Sequence, residues 1–193
     1  MHEIPSMKKF WRLAVVPALC WGIQAHAADW VMDKKASDLQ LVVRYEGTPT
    51  VGEFRHFDTH LRFDPRHPEQ GHLHVTVSVA SADMNSADIN SAIREAAWFD
   101  VAQFPRSAFD SDRITRDKPN AYIARGTLSL KGVERTIAVP FTWRERDGYA
   151  TMTGHLDVER TTFKIGTGEW ADGSTIGLEV EVRFNVHLKR VSD

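Results

Sequence analysis

The residues of this 193-residue chain that could do chemistry are headed by its nine histidines, since neutral imidazole is a common ligand for transition metals. His72 and His74 stand two apart, which puts both imidazoles on one face of a strand, and His56 and His60 lie close by in sequence. A histidine-dependent metal binder is therefore one reading. Against it, no carboxylate or thiol completes a known ligand spacing, and surface imidazoles are common, so no metal and no cofactor is assigned. Asp110 and Asp112 are acidic enough for acid–base work, but their surroundings read as a solvated polar turn. Gly-x-Ser-x-Gly, phosphate-loop and His-Glu-x-x-His patterns are absent, and the only cysteine is Cys20, so the chain is read as a non-enzyme. Arg94 and Arg125 are the candidate donors to a ligand head group, the alternative being that both are solvated surface arginines.

The elements that position these residues begin after a leader. Lys8, Lys9 and Arg12 precede an apolar run from Leu13 to Ile23 and a small-residue site, Ala25-His26-Ala27, the three-part layout of a secretory signal. The run is shorter than the roughly 20 residues that span a bilayer, and Pro17 three residues before Cys20 argues against a lipoprotein site. Cleavage after Ala27 is expected, leaving a thiol-free domain over residues 28–193 in the periplasm. Losing Lys8, Lys9, Arg12 and Glu3 takes the formal charge from −2 to −4, which disfavours nucleic acid as a partner.

Beyond the leader, apolar residues recur with period two. From Ile176 to Leu188 every second residue is apolar, and the same alternation runs through Leu39–Tyr45, Leu73–Val79, Ile137–Trp143 and Met152–Val158. Val51–Phe63 and Tyr122–Leu130 read as further strands, with turns at Asp64-Pro65, Lys131-Gly132 and Asp147-Gly148. Only Ser86–Trp98 breaks the pattern: Ile89, Ile93 and Ala97 have helical spacing and Ser86 is a suitable N-cap. Seven or eight strands with short turns and one short helix make an all-β domain, closed on itself or packed as a sandwich.

A set of motifs in order carries a family resemblance. Val51-Gly52-Glu53-Phe54-Arg55-His56-Phe57 and Leu61-Arg62-Phe63-Asp64-Pro65 resemble the Gly-x-Phe-x-x-Phe and Phe-Asp-Pro region of the YceI-like family. Trp98–Pro105 with Ala108–Ser111, Gly126–Val133, and Arg160-Thr161-Thr162-Phe163-Lys164-Ile165-Gly166 resemble its later motifs. Where relatives carry Arg-Asp and an early His, this chain has Ile89-Asn90 and Tyr45. The resemblance implies an extended eight-stranded antiparallel lipocalin-like barrel with one short helix, exported and often dimeric. It also implies a long apolar ligand such as a polyisoprenoid, isoprenoid quinone or fatty amide, transient membrane contact, and association with a b-type cytochrome as another role.

On that reading the barrel lining comprises Phe54, Phe57, Val75, Val77, Ile93, Leu128, Val139, Leu156, Val180, Val182 and Phe184, with the aromatic residues Trp98, Phe99, Phe104, Phe109, Phe141 and Phe163. The same alternation would also produce an ordinary filled core.

Overall fold

The structure, a computed structural model, describes residues 27–191; the leader, with its expected cleavage site and Cys20, lies outside the described residues apart from Ala27 itself. Six short strands open the chain: β1 (Ala28–Met32), β2 (Asp38–Tyr45), β3 (Thr48–Phe54), β4 (Phe57–Phe63), β5 (His72–Ser78) and β6 (Ala82–Asp83). After the helix α1 (Ala87–Ala92) come five long ones: β7 (Arg106–Lys118), β8 (Ala121–Leu130), β9 (Val133–Arg146), β10 (Tyr149–Glu159) and β11 (Ile176–Arg190).

The pairing makes eight strands of these eleven segments. β1 and β2 both lie along β11, Met32 opposite Leu188 and Asp38 opposite Asn185, so they are one strand interrupted by a turn. β3 follows β2 and β4 follows β1, while β5 continues on β4 and β6 on β3. The three interrupted strands and β7–β11 close through the β1–β11 pairing into an eight-stranded antiparallel barrel. Closure leaves the ladder without an exposed edge over most of its length.

Turn chemistry follows the residue types. Lys131-Gly132 and Asp147-Gly148 both have positive φ, as the tight hairpins of β8–β9 and β9–β10 require. Three expectations are corrected. The strand read over Val51–Phe63 breaks at Arg55-His56, because the Arg55 N–H turns to Ser81 O and the His56 N–H to Ser81 Oγ. The helix read over Ser86–Trp98 stops at Ala92; Ser86 does cap it, accepting from Ile89 N, but Phe99 N–H donates to Ile93 O and the chain folds into successive turns. Asp110 and Asp112 stand on the outer side of the long β7, not in a turn, and their neighbours Ser111 and Phe109 are buried.

The interior divides in two. At one end, rings from four strands fill the barrel: Trp30 meets Trp143 edge-on at 5.0 Å, and Phe63 meets Tyr122 at 5.0 Å and Trp143 at 5.1 Å. Such edge-to-face pairs match the quadrupoles of the rings. Leu61, Leu73, Met152 and Leu188 continue this plug. The other end, where β2 and β3 rise past β4 and β5, is covered by α1 and residues 93–105 rather than filled.

Candidate ligand cavity

Between plug and cover lies a cavity of about 540 Å³. That is within the range of small-molecule sites. Fourteen residues read from the sequence as lining stand in its wall: Phe54, Phe57, Val75, Val77, Ile93, Trp98, Phe99, Phe109, Leu128, Val139, Leu156, Val180, Val182 and Phe184. They come together because inward positions of β2 to β5 and β7 to β11 alternate with outward polar ones. Leu39, Leu41, Val43 and Tyr45 complete the β2 side. The cavity reaches solvent past Tyr45 and Ile89, lining residues that are 46 % and 41 % exposed.

Three aromatic residues stand elsewhere. Phe141 points inward but belongs to the plug, 5.6 Å from Tyr122 and 5.9 Å from Phe63. Phe163 packs with Val133 and Ile165 in a second cluster behind Trp98 and Phe99. Phe104 lies against the Lys131-Gly132 turn, where a Cβ on Gly132 would meet its ring at 2.8 Å. Neither arginine lines the cavity: Arg94 is exposed and donates to Ala80 O at 3.0 Å, and Arg125 points outward from β8 opposite Ala138.

A different arginine, not singled out as a site from sequence, organises the covered end. Arg160 is 3 % exposed and lines the cavity. Nε donates to Gly177 O at 2.9 Å, Nη1 to Ile165 O and Gly166 O at 2.9 and 3.0 Å, and Nη2 to Ile176 O at 2.7 Å and to Trp170 O. All five donors are thus used on the β10–β11 loop and the first two residues of β11, and the Trp98 ring lies 5.4 Å from the guanidinium carbon. Burial lowers the pKa of Arg160, opposed by the charge of Asp172. Lys131 does similar work, donating to Ala96 O and Lys164 O at 2.7 Å, and burial likewise lowers its pKa. Ala97 O accepts from Gly166 N and Thr167 N. The cover is therefore pinned to the β8–β9 turn and the β10–β11 loop by main-chain carbonyls. Its signal in the sequence was the Arg-Thr-x-Phe run, which gives no hint of what the arginine touches.

The histidines among the described residues lie outside the barrel. His74 Nδ1 donates to Asp110 Oδ1 at 2.6 Å and His72 Nε2 lies 3.8 Å from the same oxygen. His60 is opposite His74. Among the described residues no group of three or more histidine or acidic side chains is arranged to hold a metal ion.

An antiparallel eight-stranded barrel around an apolar cavity open to solvent defines the lipocalin-like class of binding barrels. The chain belongs to the YceI-like domain family, whose model matches residues 30–188. It is similar to a UPF0312 protein of Azotobacter vinelandii, 32% identical over 130 residues, which cover 66% of this chain and 68% of that protein. Protein YceI of Escherichia coli is 28% identical over 118 residues, 60% of this chain and 61% of that protein, so the match spans about three fifths of that relative. Among solved structures, BcnA of Burkholderia cenocepacia superposes with a TM-score of 0.79 at 33% identity, covering 81% of this chain and 98% of BcnA. A polyisoprenoid binding domain from Saccharophagus degradans, implicated in plant cell wall breakdown, gives a TM-score of 0.69 at 13% identity over 84% of this chain and 98% of that one, a likeness of fold alone.

Proposed function

We propose that this protein is a non-enzymatic periplasmic carrier or sequestering protein that holds a long-chain isoprenoid, or a related lipid, inside its barrel. The observation that carries the reading is the wall of the cavity, built from aliphatic and aromatic side chains with one charged residue among them, Arg160. A lipid chain in such a cavity is held by burial, at about 0.8 kcal/mol for each methylene removed from water, with no bond made or broken. The polyisoprenoid-binding domain with the same fold and the secretory layout of residues 1–27 support the ligand class and the compartment respectively. Because the wall supplies most of the affinity, several related lipids should bind. Mass spectrometry of a solvent extract of the purified protein, with metal analysis of the same sample, tests the reading. A copurified isoprenoid or long-chain lipid is expected; an empty barrel with stoichiometric zinc or copper would overturn it in favour of a metal binder, and an empty metal-free barrel in favour of a module that serves a protein partner.

A further inference from the structure

Pairing around the barrel is not uniform. β9 is laddered to β8 from Val133 to Thr142, and β10 to β11 along its whole length, from Tyr149 to Glu159. Between β9 and β10, however, the ladder joins only Thr142–Arg146 to Tyr149–Thr153. It ends where Pro140, which has no N–H, meets Gly154; a Cβ on Gly154 would lie 2.2 Å from Pro140 O, so the glycine lets the two strands cross closely there. Past this crossing, Val133–Val139 and Gly154–Glu159 run on without main-chain bonds to each other.

A strand directs half of its main-chain groups to each neighbour, so both lips of this seam carry N–H and C=O groups without a ladder partner. Such groups need water, which a dry, sealed seam would deny them. Arg135 marks where the water enters. No bulge shifts β9 against β8, so Arg135 shares a face with Val133, Ile137 and Val139 and stands opposite Leu128 of the cavity wall. Val133 and Val139 are each 8 % exposed, yet Arg135 between them is exposed. It does not overhang the end of the barrel, because Val133 lies nearer the turn. With β8 paired along one flank, solvent reaches Arg135 from the β10 side, through the seam. Behind the lips, Ile137 and Val139 of β9 and Leu156 and Val158 of β10 line the cavity.

We propose that the β9–β10 seam is a side entrance through which an apolar chain passes into the cavity, with Arg135 at its rim. The five steps from Gly154 to Glu159, at about 3.4 Å each, give a slot about 17 Å long. An extended chain passes such a slot side-on, whereas the opening past Tyr45 and Ile89 requires it to be threaded end first. The side entrance presupposes the carrier reading and adds to it the route of loading.

The test places one thiol at either opening in a Cys20→Ser background, which holds no other cysteine. Arg135→Cys lies at the seam, and Asp88→Cys lies on the exposed side of α1 beside Ile89. Each variant, free or carrying the bulky adduct of N-cyclohexylmaleimide, is mixed in a stopped-flow instrument with dansylundecanoic acid, whose fluorescence rises in an apolar cavity. The adduct at Arg135→Cys is expected to slow uptake and release alike, at least tenfold, and to leave Kd within twofold; the adduct at Asp88→Cys changes neither rate by more than twofold. Uptake unaffected by the seam adduct, slowed equally by both adducts, or slowed by the Asp88→Cys adduct alone overturns the side entrance and leaves the carrier reading standing. Hydrogen exchange of the wild type is an independent measurement: amides of Val133–Val139 and Gly154–Glu159 directed across the seam should exchange at least tenfold faster than those of the same stretches directed to β8 and β11, and equal protection overturns the open seam. Failure of the unmodified protein to take up the probe overturns the carrier reading, and the side entrance with it.

Discussion

At Arg160, a guanidinium that would ordinarily be exposed is buried to supply donors for the β10–β11 loop and the irregular start of β11. The carbonyls of Ile165, Gly166, Trp170, Ile176 and Gly177 converge on it, and without it they face an apolar interior. Arg160→Met is expected to destabilise the protein by about 3 kcal/mol or more, since several buried acceptors lose their partners at once, as urea unfolding would measure. Asp64, 6 % exposed at the plug end, behaves differently. The Arg66 side chain, and the Arg66 and His67 groups around it, hold its pKa at about 2, below the ordinary 3.8, in spite of its burial. A folded-state pKa below the unfolded one contributes stability that is fully present above about pH 4 and is lost as the pH falls towards 2. Arg66 is largely exposed and screened, so the contribution is about 1–2 kcal/mol. Asp64→Asn should remove that share of the acid sensitivity, seen as a flatter unfolding free energy between pH 4 and pH 2.

Among the elements, the interrupted strands and the cover decide the shape of the site. Period two identified which face of a strand is apolar, but it is blind to where along the strand the ladder breaks. The break at Arg55-His56 is thus legible only once Ser81 lies beside it. β7 escaped notice for a related reason: its inward residues include Ser107 and Ser111, whose hydroxyls bond Ser129 O and Leu73 N, so the apolar alternation is diluted. The cover is an element that no periodicity describes, because its internal bonds are turns and its stability comes from Arg160, Lys131 and Ala97 O. Gly166, on the β10–β11 loop to which the cover is pinned, is held tightly: φ is +70° and a Cβ would lie 2.0 Å from Arg160 Nη1. Gly166→Ala is expected to loosen the cover without unfolding the barrel, so that the amides of Gly166 and Thr167 exchange with solvent at least tenfold faster while those of β8 and β9 do not change.

For the whole molecule, the consequence of a filled end and a covered end is a cavity that a ligand can occupy without rearranging the barrel. Val182, facing the cavity between Leu41 and Leu156, sits in its side wall. Val182→Trp should fill space that is otherwise free, weakening binding of any long-chain lipid at least tenfold with little change in the melting temperature of the lipid-free protein, since no packed core is crowded. Wild-type protein at lipid concentrations about 100 times Kd is expected to gain about 2.7 kcal/mol of stability, and the tryptophan variant far less under the same conditions; parallel urea titrations with and without lipid would measure both.

By itself, the sequence determined the all-β class, the tight turns at Lys131-Gly132 and Asp147-Gly148, and which side chains face inward, because these depend on local dihedral preferences and on period-two burial. The motif order carried the family. Tertiary structure alone decided height along the barrel axis: Phe141 and Val139 stand on the same face of β9, yet one is in the plug and the other in the cavity wall. It also decided which polar groups matter: Arg160, not Arg94 or Arg125, stands in the cavity wall. The reason is physical. A side chain's face is set by its own strand, whereas its depth and its hydrogen-bond partners are set by the register of eight strands and by a cover whose contacts join residues far apart in the chain.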